Sequence, residues 1–362
     1  MPCRRTCAAD TAASLPVGES VRRAVLAAAM RRAVAASEAV RGTTSPNPPV
    51  GCVVLDAGGA TAGVGATVPP GGPHAEVVAL REAGERARGG TAVVTLEPCA
   101  HHGRTPPCVD ALLAAGIAEV HSAVPDPHPA GAGGAARLRA AGVSVHEGLL
   151  AELVRCGPLR AWLHSVDTGR PHVTWKYAAT LDGRSAAADG TSRWISSPES
   201  RAEVHRLRSA VDAVLIGTGT VLADDPQLTA RHPDGARQAR QPLLVVVGNR
   251  AVPAGARVLD GAAETLLCRG HDPAAVLGQL HERGVVDVLL EGGPTLAGAF
   301  LTAGCVDRVL AYLAPALLGA GPAALATARV ATLAQRLRLR VEEVGMSGPD
   351  IRISAVPAAR EA

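Results

Sequence analysis

The sequence predicts a chain of two α/β domains in tandem, and three observations carry this. The chain has 362 residues, room for two domains at roughly 150 residues each. Short runs rich in Val and Leu alternate with Ala-rich stretches of helical periodicity, the order that layers helices on both faces of a sheet. Hydrophobic residues make up 47% and charged residues 19%, so both domains have the apolar mass for a core and disorder is not the default. Aromatics are only 2%, so the cores must be built from Val, Leu, Ala and Ile.

Residues 1–16 lack periodicity and read as a flexible tail. Residues 20–40, Ala-rich with interspersed Arg and Glu, predict a helix stopped at Gly42. A stiff Asn47-Pro48-Pro49 loop leads into a strand over 50–55, Asp56-Ala57-Gly58-Gly59 turns the chain, and a second strand covers 61–67. A Pro/Gly loop over 69–73 ends at His74, and a helix follows over 75–88. A strand at 91–96, a helix from Pro107 or Cys108 to Ala115, a strand at 119–124, a helix at 135–141 and a strand at 143–146 complete a three-layer α/β sandwich over 17–147. Residues 149–166 predict a bridging helix inside a linker of 148–170. In the second domain, 171–362, strands are expected at 172–179, 211–216, 243–247, 265–268, 285–290 and 306–313, with a helix opened by Ser197-Pro198-Glu199. No internal repeat is visible.

Composition excludes several classes. The formal net charge is +3 with no basic block, which suits anionic small molecules and gives little support to nucleic-acid binding. Few aromatics also means few platforms for stacking single-stranded bases. Eight cysteines scattered through the chain are not a secreted disulfide framework. Arg4 and Arg5 are not followed by an apolar signal region, because Arg22, Arg23, Arg31 and Arg32 intervene. No uncharged apolar run reaches membrane-spanning length. The expectation is a cytoplasmic, soluble protein with small-molecule partners, no nucleic acid and no membrane, and compatible with a homo-oligomer.

The chemistry is concentrated in two places. His74, Cys99 and Cys108 are three borderline or soft donors, the set a catalytic zinc needs if its fourth position stays open. Glu76 follows His74 by two residues, and Pro98 precedes Cys99. That order matches the zinc-deaminase signature H-x-E followed by P-C-x-x-C, in which the Glu stays outside the metal shell as proton shuttle. The departure is that eight residues, not two, separate the cysteines. Cys108 is expected at a helix N-terminus, which favours its thiolate.

The second place comprises three pieces: 176–184, then 192–196 with 217–226, and Glu291-Gly292-Gly293-Pro294-Thr295-Leu296 directly after a Val/Leu strand. Small residues let the backbone approach a ligand, and a helix opened by Pro294 and Thr295 offers N–H groups to a pyrophosphate. Gly217-Thr218-Gly219 lacks the third glycine of the dinucleotide fingerprint.

With its eight-residue insert, the first constellation resembles a bifunctional riboflavin-biosynthesis family, in which a diaminohydroxyphosphoribosylaminopyrimidine deaminase is fused to a 5-amino-6-(5-phosphoribosylamino)uracil reductase. The matching residues are Ser45-Pro46-Asn47-Pro48-Pro49-Val50-Gly51, His74-Ala75-Glu76, and Glu97-Pro98-Cys99 through Cys108; the three later pieces resemble the reductase half. The resemblance runs from Ser20 to about Val356 and is weakest over 232–283. It implies a cytidine-deaminase-like first domain with Zn2+ and a dihydrofolate-reductase-like second domain with NADPH. It implies that His74, Cys99 and Cys108 hold zinc, that Glu76 moves the proton, and that Asn47 hydrogen-bonds the substrate or merely turns the chain between prolines. It further implies that Ala178, Trp194, Thr220, Asp224 and the segment Gly293, Pro294, Thr295, Leu296, Ala297, Gly298 and Ala299 face the cofactor. Ser192, Arg208, Leu228, Arg231 and Glu291 would face the phosphoribosyl substrate. Val247-Gly248-Asn249-Arg250 replaces an expected Asp-Ser turn, which puts one cofactor contact in question. Two rivals stand beside this reading: a deaminase with a catalytically degenerate second domain, and a nucleic-acid-editing zinc deaminase.

Overall fold

In a computed structural model of the chain, the residues described are 17–102, 106–128, 131–326 and 330–358. The expected tail at 1–16 and the middle of the loop between the cysteines, 103–105, lie outside them. The chain divides into two compact units between Gly169 and Arg170.

The first unit runs α1 (Val17–Ala39), β1 (Gly51–Leu55), β2 (Thr61–Ala66), α2 (Ala75–Ala83), β3 (Thr91–Leu96), α3 (Cys108–Ala114), β4 (Glu119–Val124), α4 (Gly134–Ala140), β5 (Ser144–Glu147), α5 (Ala151–Cys156) and α6 (Arg160–Thr168). Its sheet has the order β2-β1-β3-β4-β5, antiparallel across β2/β1 and β1/β3 and parallel across β3/β4 and β4/β5. Two glycines of the β1/β2 ribbon define the layers. A Cβ on Gly51 would lie 1.9 Å from the Ala33 carbonyl oxygen of α1, and one on Gly65 would lie 2.2 Å from the Ala75 carbonyl oxygen of α2. Gly65 pairs with Cys52, the neighbour of Gly51, and adjacent strand residues point to opposite faces. The two helices therefore cover opposite faces, as a three-layer sandwich requires, and only glycine lets the backbones come so close.

Two expected helices are shorter than the pattern suggests. The helix after His74 ends at Ala83, because Gly84 takes φ 55°, and a 3-10 turn, Gly84–Ala87, follows. The single bridging helix over 149–166 is instead α5 and α6, separated by Gly157-Pro158-Leu159, and both fall within the first unit. Proline has no N–H to continue the α5 ladder and its ring crowds the preceding turn.

The second unit runs β6 (His172–Thr180), α7 (Pro198–Ala210), β7 (Ala213–Gly217), α8 (Thr218–Asp224), β8 (Leu243–Val247), β9 (Thr265–Cys268), α9 (Pro273–Glu282), β10 (Asp287–Leu290), α10 (Pro294–Thr302), β11 (Arg308–Ala314), β12 (Leu339–Ser347) and β13 (Asp350–Pro357). Its eight-stranded sheet has the order β12-β13-β11-β6-β10-β7-β8-β9, parallel from β11 to β9 and closed by an antiparallel hairpin, β12/β13, that the sequence reading did not anticipate. Helices α8 and α9 were likewise not anticipated. The central strands β7, β8 and β10 are buried on both faces, with period two. Leu215 and Val245 pack with Leu277 and Leu280 of α9 and Phe300 of α10. Ile216 and Val246 pack with Val221 of α8 and Leu207 of α7.

From β7 the chain passes to β8 on one side, whereas from β10 it passes through α10 to β11 on the other. The carboxyl ends of β7 and β10 thus flank a point where the connections diverge, the place where open parallel sheets leave a crevice for ligands. Among the described residues no helix is long and apolar enough to cross a membrane.

Candidate active sites

In the first unit three elements deliver the donors. His74 caps the N-terminus of α2, Cys99 follows β3, and Cys108 is the first residue of α3. His74 Nδ1 lies 3.1 Å from Cys108 Sγ and 3.6 Å from Cys99 Sγ, and the two sulfurs are 3.5 Å apart. Zinc bonded to sulfur at ~2.3 Å and to nitrogen at ~2.0 Å in a tetrahedron spaces such donors by about 3.5–3.8 Å. The triangle therefore fits three corners of a zinc tetrahedron with the fourth free. The Cys108 backbone N–H also donates to Cys99 Sγ at 3.4 Å.

The electrostatics suit a cation. The Cys108 thiol and His74 hold the Cys99 thiol down at about 4. The same contact with Cys99, together with burial, pushes the Cys108 thiol far up. The two sulfurs, 3.5 Å apart, oppose one another's ionisation, and a cation between them would favour both thiolates. The interaction with Cys99 raises His74. Burial pushes the Glu76 carboxyl up to about 7. Glu76 sits in the first turn of α2 and lines the same cavity of about 490 Å³ as His74 and Cys99. Asn47 also lines it. So do Asp126, His128 and Trp162, which sequence reasoning passed over because they come from loops and a helix with no motif of their own. His101 lines the cavity, whereas the exposed His102 lies by Asp110 at 3.9 Å. Glu97 braces the site: it accepts from the N–H groups of Asp126 (3.1 Å) and Ala135 (2.9 Å), tying the end of β3 to the chain beyond β4.

The second unit holds a cavity of about 730 Å³ at the carboxyl ends of β6, β7 and β10. Ala178, Ser192, Trp194, Arg208, Thr220, Asp224, Leu228, Arg231 and Glu291 all line it. Arg208 forms a bidentate pair with Glu291, Nε to Oε1 at 2.6 Å and Nη2 to Oε2 at 2.9 Å. Burial pushes the Glu291 carboxyl up, but Arg208 and Lys176 more than offset it, so it stays ionised. Burial holds the Lys176 ammonium below the ordinary lysine range, with Glu291 opposing and Arg208 reinforcing the shift. Ser192 donates to Asp224 at 3.4 Å, and the Arg201 guanidinium stands 4.7 Å from the centre of the exposed Trp194 ring.

The segment Gly293 to Ala299 is not a uniform ligand-facing run. The Leu296 and Ala297 side chains are buried in the core behind β10, and Gly298 is buried with them. None of the segment lines the cavity itself; at its start the Gly293 N–H donates to Thr220 Oγ1, which does, at 3.3 Å, and Thr295 is exposed. Beside it Arg250, from the turn after β8, reaches Gly219: a Cβ there would sit 2.7 Å from Arg250 Nη2.

Residues 24–124 match the cytidine and deoxycytidylate deaminase zinc-binding region, and residues 171–353 match the RibD C-terminal domain. The riboflavin biosynthesis protein RibD of Mycobacterium tuberculosis is 55% identical over 328 residues, covering 91% of this chain and 96% of that protein. The chain belongs to the RibD family. RibD of Escherichia coli is 41% identical over 91% of this chain and 98% of its own. The solved structure of Acinetobacter baumannii RibD superposes with a TM-score of 0.84 at 36% identity, covering 93% of this chain and 100% of that one. The family membership makes this a deaminase–reductase enzyme whose cofactors are zinc and NADPH. The fold is the expected pair, a cytidine-deaminase-like unit and the RibD reductase unit.

The Arg208–Glu291 pair carries a stability prediction. Both side chains are largely buried, 14% and 9% exposed, and removing one partner of such a pair strands the other's charge, at a cost of about 3–5 kcal/mol. Arg208→Ala should shift the urea midpoint accordingly, and Arg208→Lys should recover only part because it lacks the fork. An unchanged midpoint in Arg208→Ala would show that solvent already screens the pair.

Proposed function

We propose that the first unit deaminates 2,5-diamino-6-(5-phosphoribosylamino)pyrimidin-4-one by hydrolysis. The second unit then reduces the ribosyl group of 5-amino-6-(5-phosphoribosylamino)uracil to ribityl. The observation that carries the reading is the His74–Cys99–Cys108 triangle with Glu76 beside it in one cavity. Zinc held by the three donors supplies Lewis acidity that makes water nucleophilic at neutral pH. Glu76 stands outside the cluster of three donors and lines the cavity beside them. It takes the proton that the attacking water loses and gives it to the amine, which departs as ammonia. Asn47 orients the ring at the cavity mouth.

In the second unit NADPH, when bound, supplies a hydride for the ribosyl carbonyl carbon. Lys176 holds a proton against the carbonyl oxygen, and Arg208, fixed by Glu291, presents a guanidinium to the phosphoribosyl group with Ser192, Leu228 and Arg231. Ala178, Trp194, Thr220, Asp224 and the Gly293-Pro294-Thr295 turn are the surfaces offered to the cofactor. We place the enzyme in the cytoplasm, with small-molecule partners; its mild charge and its scarcity of aromatic platforms speak against nucleic acid.

Mass spectrometry of the product from the diaminopyrimidine substrate tests both steps. Without NADPH the deaminated ribosyl compound should accumulate, and with NADPH the ribityl compound. Accumulation of the ribosyl compound in both cases would leave a deaminase with an inactive second unit; unaltered substrate would refute the whole reading.

Gly293→Val separates the cofactor site from the fold. Gly293 has φ −62°, acceptable to valine, and an added Cβ meets only Thr220 Oγ1 at 3.5 Å. The remaining bulk falls where a pyrophosphate would approach the helix start. The Michaelis constant for NADPH should rise, with ammonia release unchanged. An unchanged constant would make the Gly-Gly-Pro segment a turn and nothing more.

A further inference from the structure

A second donor cluster lies at the other end of the five-stranded sheet, away from the cysteines. Glu119 and His121 are two apart on β4 and so share a face, and the parallel register sets Ser144 beside Glu119 and His146 beside His121. His121 Nε2 is 2.8 Å and His146 Nε2 is 3.2 Å from the same atom, Glu119 Oε1. One donor atom from each of the three residues lies within 4.8 Å of the others. The other carboxylate oxygen is occupied elsewhere: Arg22 of α1 pairs with Oε2, and the Thr91 hydroxyl donates to it at 3.4 Å. These contacts aim Oε1 at the two imidazoles, as outer partners orient a metal-ligating carboxylate.

We propose that Glu119, His121 and His146 form a second metal site, for a borderline divalent cation of the zinc, cobalt or nickel type. Two imidazole nitrogens and one carboxylate oxygen are the donor set such ions prefer, whereas magnesium and calcium require oxygen-rich shells. Zinc bonded to nitrogen and oxygen at ~2.0–2.1 Å spaces its donors by about 3.3–3.4 Å, close to the 3.2 Å from His146 to Oε1 and wider than the 2.8 Å from His121, which would open as the ion enters. The rings are stacked, with centroids 4.6 Å apart and planes 16° apart. Because a cation must lie near the plane of each ring it binds, one ring has to turn. His146, whose side chain is 54% exposed, has the room, while His121 at 10% is held. A bound ion would clamp edge strand β5 to β4 at a point where the strands carry no buried apolar contact from β5.

The test is a Co2+ titration of the full chain carrying a single equivalent of zinc, held by the cysteine site. Binding should add visible d–d absorption that saturates at one further equivalent without sulfur-to-cobalt charge-transfer bands, and should raise the melting temperature. His146→Ala, which removes an exposed ring and leaves the core intact, should abolish both effects. Glu119→Gln should weaken binding at least tenfold, and ammonia release should be unchanged by His146→Ala. The proposal fails if His146→Ala takes up cobalt as the parent does, if the absorption carries sulfur charge-transfer bands alone, or if the zinc-loaded parent takes up none.

Discussion

Cys99→Ser and Cys108→Ser are each expected to lose zinc and ammonia release together, with NADPH-dependent reduction of supplied deaminated intermediate retained. The two sulfurs and the His74 nitrogen are the whole of the triangle, so either change leaves two donors. A serine hydroxyl does not ionise near neutral pH, whereas a thiol beside a metal readily becomes a thiolate. Binding energy at such a site is also folding energy for the segments it joins, here the end of β3 and the start of α3, so a local loss of stability should accompany the loss of metal. Metal analysis by mass spectrometry and the two activity assays measure the first three effects, and a thermal melt the loss of stability. Cys52→Ala is the control: Cys52 is buried and feels the Glu76 charge but lies outside the triangle, so it should keep its zinc. Full occupancy in both serine variants would overturn the ligand assignment.

Glu76→Gln should separate metal from proton transfer. Glutamine matches glutamate in size and in hydrogen-bonding reach but carries no transferable proton. Zinc content should be unchanged and ammonia release should fall by about 10²–10⁴-fold, the range for a general acid–base group. Reduction of the supplied intermediate should proceed at the parent rate, because the reductase cavity is lined by residues of the second unit alone. Near-normal deamination would remove Glu76 from the mechanism. A parallel fall in both activities of a soluble, zinc-loaded variant would show that the two units are coupled.

Where sequence and structure part company, the reason is the range of the interaction. The strands β1, β3, β7 and β8 are short, largely apolar runs whose burial is a property of the run itself, so they were legible. Helix α8 has seven residues, too few to display an amphipathic period, and its Gly and Thr content reads as a loop. The β12/β13 hairpin escaped notice because β12 is mostly exposed and carries Glu and Arg among its apolar residues. The bridging-helix pattern over 149–166 is apolar enough to look continuous, but Pro158 interrupts it whatever the period around it.

The donors of the first site were identifiable from their types and order alone, since zinc chemistry restricts the choice to a few side chains and the motif sets their sequence. Glu76 could be separated from the ligands for the same reason. The second site was different. Arg208 reads in isolation as a helix-surface charge, and Glu291, 83 positions away, as a strand end; only the meeting of α7 with the end of β10 makes them a buried bidentate pair. The run Gly293 to Ala299 looked uniform as text, and packing divided it, sending Leu296 and Ala297 into the core and leaving Gly293, Pro294 and Thr295 less buried. Likewise nothing local links Glu119 and His121 to His146, which the parallel register of β4 and β5 brings onto one oxygen. Periodicity and motif spacing encode contacts within a few residues, so the sequence determined which chemistry was available and on which elements. Which distant side chains face one another depends on strand order and register, and these are set by the packing of whole layers.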